Sequence, residues 1–128
     1  MFIEDRRCYW YRSMKNQHSP STSEITLPRV LAALGDPIRL GIVRLLADGR
    51  ERGWGQLQAP VAKSTLSHHL KVLRDAGITQ TRQEGTRCFV ALRRDDLDAR
   101  FPHLTAALLS AAAADGTGQH DPEAEAHT

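Results

Sequence analysis

The apolar residues of positions 24–49 recur three or four apart, which predicts two short helices. The apolar positions of the first are Leu27, Val30, Leu31 and Leu34. Gly35 ends this helix, and Asp36-Pro37 opens the next, because Asp can cap a helix and Pro suits its first turn. The apolar positions of the second are Ile38, Ile42, Leu45 and Leu46, and Asp48-Gly49 ends it. Two helices joined by so tight a corner must pack across each other.

A longer helix is predicted from Ser64 to Ala76, with Ser64 or a near neighbour as its N-cap and Gly77 as its stop. Its core-facing positions are Leu66, Leu70, Leu73 and Ala76. A short helix is also predicted before it, anchored by Trp54, Leu57 and Val61. Its length is limited by Gly53, Gly55 and Pro60.

After Gly77 the pattern alternates with period two, which predicts a β-hairpin. Its strands are Ile78–Gln83 and Arg87–Leu92, with Glu84-Gly85-Thr86 as the turn. A last helix carries apolar residues at Leu97, Phe101, Leu104, Leu108, Ala111 and Ala112. The predicted fold is mainly α with a small β-hairpin, in the order α-α-α-α-β-β-α, which is a winged helix-turn-helix arrangement.

The 128 residues suffice for one domain, which we place at residues 24–114. Residues 1–23 are predicted to form a flexible polar arm, and residues 115–128 a disordered acidic tail. Met14 is an alternative start of translation.

Charge is unevenly distributed along the chain. Residues 29–100 carry 13 Lys and Arg against 8 Asp and Glu, whereas residues 101–128 carry four acids and no base. A basic body suits a polyanionic partner, although a solvated surface of mixed charge would give a similar balance. No apolar run reaches the ~18 residues of a membrane span, and no signal peptide is evident at the N-terminus. We therefore expect a cytoplasmic protein that does not bind membranes.

The helix that begins near Ser64 carries the candidate chemistry. Opposite its leucines lie Thr65, Ser67, His68, Lys71 and Asp75, with His69 and Arg74 at the flanks. Short hydrogen-bonding groups and cations near a helix N-terminus suit contact with base edges and phosphates in the DNA major groove. Arg82 and Arg87 flank the predicted turn, where they could contact the DNA backbone; an ordinary solvated hairpin is the alternative.

Three blocks of the sequence together resemble the ArsR/SmtB family of bacterial repressors. They are residues 31–46, residues 64–78 and residues 84–87, and the resemblance covers roughly residues 25–110. It implies a homodimeric winged helix that binds double-stranded DNA at an inverted repeat and is released by an inducing signal. It places DNA contacts at Lys63, Ser64, Thr65, Ser67, His68 and His69. It also places the dimer interface on the first and last helices, which here carry Leu27, Leu31, Leu97, Phe101, Leu104 and Leu108.

The inducing signal is left open by the sequence: it could be a small molecule, a redox change or a metal. The metal-ligand motifs of the family are missing, His103 has no evident partner ligand, and we predict no metal site and no cofactor. A redox pair of Cys8 and Cys88 is one alternative. A winged helix that binds a protein instead of DNA is another. An enzyme is not expected, since no phosphate-binding glycine loop, nucleophile elbow or HExxH motif is present.

Overall fold

The computed structural model describes residues 19–57 and 59–117. The helices are α1 (Leu27–Leu34), α2 (Pro37–Leu45), α3 (Lys63–Asp75), α4 (Arg94–Arg100) and α5 (Leu104–Asp115). The strands are β1 (Arg52–Gly53), β2 (Thr79–Glu84) and β3 (Arg87–Leu92). Short 3-10 turns occupy Thr22–Glu24, Leu46–Asp48 and Trp54–Gln56. The domain is mostly helical with a small antiparallel sheet, as predicted.

The corner between α1 and α2 forms as the sequence predicts. Asp36 caps α2, because its Oδ2 accepts hydrogen bonds from the backbone N–H groups of Ile38 at 2.9 Å and Arg39 at 3.0 Å. Ile42 and Leu46 are both fully buried. The cap therefore fixes where α2 starts, and its apolar face fixes how it packs on the core.

Helix α3 begins one residue before Ser64, and Ala62 occupies the N-cap position without a side-chain hydrogen bond. The N-cap is therefore a near neighbour of Ser64 and not Ser64 itself. The C-terminal stop of α3 lies at Gly77, as predicted. The N–H of Gly77 donates to the carbonyl of Arg74 and that of Ile78 donates to Leu73, both at 3.0 Å. These two bonds form a Schellman motif, which requires the left-handed backbone that Gly77 adopts at φ 83°.

The predicted hairpin is present as β2 and β3, and β1 adds a third strand, so the sheet has the order β1-β3-β2. The predicted short helix near Trp54 is absent from the described residues; β1 and a 3-10 turn stand there. Arg52 pairs with Val90 and Gly53 with Phe89, so the backbone of this segment completes the free edge of β3. The hairpin turn consists of Gly85 and Thr86, and Gly85 supplies the positive φ of 61° at its first position.

The predicted single last helix is divided into α4 and α5. Pro102 disfavours a helical backbone at the residue before it, and Phe101 accordingly adopts φ −134° and ψ 84°. His103 then takes a left-handed conformation with φ 71° before α5 begins. Leu97, on α4, is 3% exposed and belongs to the core. Its predicted place in a dimer interface is therefore wrong, because its side chain packs within its own subunit.

Residues 20–25 are held against α4 by hydrogen bonds. Arg93 Nη1 donates to the carbonyl of Pro20 at 2.7 Å, and Thr22 Oγ1 donates to Asp96 Oδ1 at 2.8 Å. Arg100 Nε donates to the carbonyl of Ile25 at 2.9 Å. The structured part of the chain thus begins before residue 24. Residues 1–18, most of the predicted arm, and residues 118–128 of the predicted tail lie outside the described residues.

Substituting Gly77 with Ala is expected to destabilise the fold for two reasons. An added Cβ would lie 2.5 Å from Ile25 Cγ1 and 2.8 Å from its Cδ1, and φ is positive at this residue. Together, overpacking and left-handed strain should lower the free energy of unfolding by about 2–4 kcal/mol, measured by urea denaturation at fixed protein concentration.

Gly49→Ala is the matched control, since Gly49 has the same φ of 83° with nothing within 4 Å of the added Cβ. It should cost only about 1–2 kcal/mol, the strain alone. Equal losses in the two variants would contradict the steric role of Gly77.

Candidate nucleic-acid interface

One side of the first two turns of α3 is exposed and polar. Leu66, Leu70 and Leu73 pack into the core, which turns the opposite side of the helix toward solvent. We call this opposite side the α3 polar surface; it consists of Lys63, Ser64, Thr65, Ser67 and His68, all exposed except the half-buried Ser67. No acidic residue lies in the first turn, so the positive end of the helix dipole adds to the charge of Lys63.

Lys71 lies at the edge of the α3 polar surface and is less available than predicted. Its Nζ is 2.9 Å from Asp75 Oδ2, one turn later, and its side chain is 40% exposed. Asp75 also receives Arg74 Nη1 at 3.3 Å. The acid at the C-terminal end of α3 therefore offsets the cations closest to it, and the N-terminal half retains the more accessible hydrogen-bonding groups.

His69 is not part of the α3 polar surface. The residue is 8% exposed, and its Nδ1 lies 3.2 Å from Arg39 Nη1 and 3.9 Å from Asp36 Oδ2. Arg39 also donates through Nε to the carbonyl of Ala33 at 2.6 Å. His69 therefore joins α3 to the corner between α1 and α2. This position does not agree with the predicted DNA contact of His69. Neighbouring residues on a helix point about 100° apart, so His68 faces solvent while His69 faces the core.

The protonation state of His69 follows from these contacts. A guanidinium can only donate, so Nδ1 accepts from Arg39 and the ring is neutral with its proton on Nε2. Burial lowers the pKa of His69 below its usual 6.5, and the nearby charge of Arg39 adds to this against the opposing effect of Asp36. Acidification would thus place a second positive charge beside Arg39.

The two predicted arginines of the hairpin differ in their surroundings. Arg82 binds Glu51 through Nε at 2.9 Å and Nη2 at 2.6 Å, and its Nη1 lies 3.3 Å from Glu84. These hydrogen bonds from Arg82 lower the pKa of Glu51. Arg87 forms no ion pair with any described residue, and its guanidinium lies 5.6 Å from the centre of the Phe89 ring. Arg87 is therefore the more accessible cation of the hairpin.

The residues predicted for the dimer interface, on α1 and in the region of α4 and α5, fall into three groups by exposure. Leu27 and Leu31 on α1 are 40% and 45% exposed, which is unusual for large apolar side chains. Phe101, Leu104 and Leu108 are half-buried, and Leu97 is in the core. Exposed alanines accompany the half-buried leucines of α5; they are Ala106, Ala107, Ala111, Ala113 and Ala114.

Other candidate chemistry is sparse in residues 19–57 and 59–117. No group of three or more His, Cys, Asp or Glu residues there is placed to hold a metal ion. Cys88 is buried in β3, and Cys8 lies outside the described residues, so the predicted redox pair stays a prediction. None of the helices in these ranges combines the length and the apolar character needed to cross a membrane.

Comparison with known sequences identifies relatives that are described as transcriptional regulators. The family model described as bacterial regulatory protein, arsR family, matches residues 36–81. The chain is 36% identical over 77 residues to YceK of Bacillus subtilis strain 168, an uncharacterized HTH-type transcriptional regulator; the match spans 58% of this chain and 77% of YceK. It is 41% identical over 68 residues to the biofilm growth-associated repressor of Agrobacterium fabrum, 52% of this chain and 57% of that repressor.

Solved structures show the same relationship in three dimensions. The transcriptional repressor BigR from Xylella fastidiosa superposes with a TM-score of 0.56 at 30% identity, over 73% of this chain and 88% of BigR. Rv0081 from M. tuberculosis superposes with a TM-score of 0.51 at 29% identity, over 70% of this chain and 91% of Rv0081. The winged helix-turn-helix fold predicted from the sequence is confirmed.

The folded protein should lose stability as the pH falls below about 6.5, and His69 should account for part of this loss. Because the pKa of His69 is lowered in the folded state, the unfolded chain binds the proton first, and acid favours unfolding in that window. Asp36 also has a lowered pKa, but from 3.8, so its contribution is lost at more acidic pH.

His69→Gln should therefore flatten the dependence of the free energy of unfolding on pH between 7.5 and 5, measured by urea denaturation. Equal slopes for the wild type and His69→Gln would exclude His69 as the titrating group.

Proposed function

This chain is a transcriptional regulator that belongs to the ArsR family, and we propose that it binds an inverted-repeat operator as a homodimer and represses transcription. Two copies of α3 would enter successive major grooves about 34–36 Å apart on one face of the duplex. An inducing signal, whose chemistry the proposal leaves open, would release the protein from DNA. The chromosome lies in the cytoplasm of a bacterium, so the proposal places the protein there.

The observation that carries the proposal is the α3 polar surface. The side chains that project from the first two turns of α3 are short hydroxyls, an exposed imidazole and one lysine. Such groups can reach base edges in the major groove, and backbone N–H groups at a helix N-terminus suit phosphate. The nearest acid on the helix, Asp75, lies at its far end and is paired with Lys71 and Arg74. A solvated helix would more often alternate long acidic and basic side chains.

The proposed dimer is supported by the apolar surface that the described subunit leaves uncovered. Leu27 and Leu31 occupy positions one turn apart on α1, so together they present one apolar ridge. The alanines of α5 have small side chains that permit close approach of another helix. A second subunit that covers these surfaces would also set the spacing of the two α3 helices.

Binding to a cognate operator should depend steeply on salt, and two kinds of substitution should change it differently. Arg87→Ala removes from each subunit one cation that can face phosphate, and for the dimer should reduce the slope of log K against log salt by about two while weakening binding to every sequence. Ser67→Ala and His68→Ala should instead relax base preference, by about 1–3 kcal/mol of discrimination for a direct base contact. Fluorescence anisotropy on the operator, a scrambled duplex and single-base variants measures both effects.

Arg94→Ala is the control for charge, because it makes the same change on α4, which carries none of the proposed contacts. It should change the salt slope much less than Arg87→Ala. If the wild type prefers no sequence even at low salt, the proposal of an operator-binding repressor is wrong.

Replacing Leu31 with Glu should weaken the dimer, because it places a charge in the proposed apolar interface. Sedimentation velocity should show a shift toward monomer at micromolar concentration, with a parallel loss of operator affinity. Ala32→Glu introduces the same charge at the next exposed position of α1, about 100° around the helix, and should leave the dimer largely intact. Equal effects of the two substitutions would argue against an interface at Leu31.

A further inference from the structure

The outer face of the three-stranded sheet gathers charged residues from three separate segments. Side chains alternate between the two faces of a strand, and Arg82 of β2 pairs with Phe89 of β3, which in turn pairs with Gly53 of β1. Glu51 precedes Gly53 by two residues and so lies on the same side. Glu84 and Arg87 share this face as well, while the other face buries Cys88, Val90 and Leu92.

Every nitrogen of the Arg82 guanidinium is engaged on this face by a carboxylate. Glu51 receives two bonds, at 2.6 Å from Nη2 and 2.9 Å from Nε, and Glu84 lies 3.3 Å from Nη1. The paired, parallel bonds to Glu51 have the geometry with which an arginine binds a phosphate. The guanidinium also lies 4.8 Å from the centre of the Phe89 ring, which supports it from below.

We propose that Glu51 is a positioning residue that occupies the phosphate-binding side of Arg82, so that Glu51 limits how strongly the hairpin binds DNA. This inference rests on the proposed function. On the outer face of the sheet, Glu51 and Glu84 balance the charges of Arg82 and Arg87. The hairpin then approaches DNA close to neutral, with Arg87 as its cation for phosphate.

Counterion release gives the reason why this pairing matters. An arginine that binds a phosphate displaces cations condensed on the DNA, and each such contact adds about 0.9 to the salt slope. An arginine that keeps its carboxylate partner releases none. For Arg82 to bind phosphate it would have to leave Glu51, and that exchange replaces one charge-assisted pair by another with little net gain. Glu51 thereby restrains sequence-independent binding.

If the role of Glu51 were purely structural, loss of its pair with Arg82 would mainly lower the stability of the sheet. The backbone of β1 is already joined to β3 through the pairs Arg52–Val90 and Gly53–Phe89, so the sheet does not depend on the Glu51 side chain for its third strand. Both side chains of the Glu51–Arg82 pair are also well exposed, at 39% and 47%, and an exposed ion pair contributes little to stability. Loss of the pair should therefore change DNA binding far more than it changes folding.

The test is a double-mutant cycle on DNA binding with Glu51→Gln and Arg82→Ala. Glu51→Gln frees one Arg82 in each subunit of the dimer, so it should steepen the salt slope by about two and tighten binding roughly thirtyfold near 0.15 M salt, on both operator and scrambled duplex. Arg82→Ala alone should keep the wild-type slope, and the double variant should return to it. Urea denaturation midpoints of all four proteins establish that each is folded.

Asp95→Asn is the matched control, because it removes one negative charge from an exposed residue of α4 that does not contact Arg82, and it should leave the salt slope nearly unchanged. If the change of net charge were the whole effect, Glu51→Gln would tighten binding equally in the presence and in the absence of Arg82. We expect the tightening only when Arg82 is present. As a second readout, the Nε–Hε NMR signal of Arg82 should shift in Glu51→Gln but change little when DNA is added to the wild type.

The outcomes separate the two proposals. If the wild type binds its operator but Glu51→Gln leaves the slope unchanged or makes it shallower, the role of Glu51 is wrong and the repressor function stands. A tightening by Glu51→Gln that persists in the Arg82→Ala background also overturns that role. A wild type that binds no DNA at any salt concentration overturns both.

Discussion

The burial of one side of α3 is the constraint on which the functional surfaces depend. Leu66, Leu70 and Leu73 fix the rotation of this helix about its own axis, because α1, α2 and β2 all pack against it. The polar residues on the opposite side of α3 must therefore face solvent. At the end of α3 the Schellman motif at Gly77 turns the chain directly into β2. The hairpin therefore takes its position from the same helix.

The two charged surfaces are built on different principles. On α3, the exposed groups of the first two turns stand apart from the helix's one acid, so their hydrogen-bonding capacity faces solvent. On the outer face of the sheet, Arg82 is matched by Glu84 on its own strand and by Glu51, which lies 31 residues earlier in the chain. One surface is thus suited to selecting a partner, and the other to regulating the general attraction to a polyanion.

Local signals account for what could be predicted from the sequence. The Asp36-Pro37 cap, the stop at Gly77 and the strand Arg87–Leu92 each depend on residues within a few positions, and each was correctly placed. The division of the last helix also had a local signal, since Pro102 restricts Phe101, but the regular spacing of leucines on either side concealed it.

Contacts between distant segments account for what was missed. Strand β1 is two residues long, too short for its alternation to be recognised, and it exists because β3 offers it a free edge. The burial of His69 depends on Arg39, which lies 30 residues away, and the sequence placed the boundary between the buried and exposed sides of α3 one residue too far. The partnership of Glu51 with Arg82 has no signature in either segment alone.

The hydrogen bonds between residues 20–25 and α4 have a consequence for the order in which the domain is assembled. They join positions 73 to 75 residues apart, so they are among the described side-chain hydrogen bonds that close the longest loops. On the ribosome, α1, α2 and α3 emerge well before Arg93 and Arg100 do, and residues 20–25 must wait for them. Closing a loop of this length carries an entropic cost that only the finished core can offset. Until α4 is complete, residues 20–25 lack these three hydrogen bonds, so their full attachment is expected to be a late step of biosynthesis.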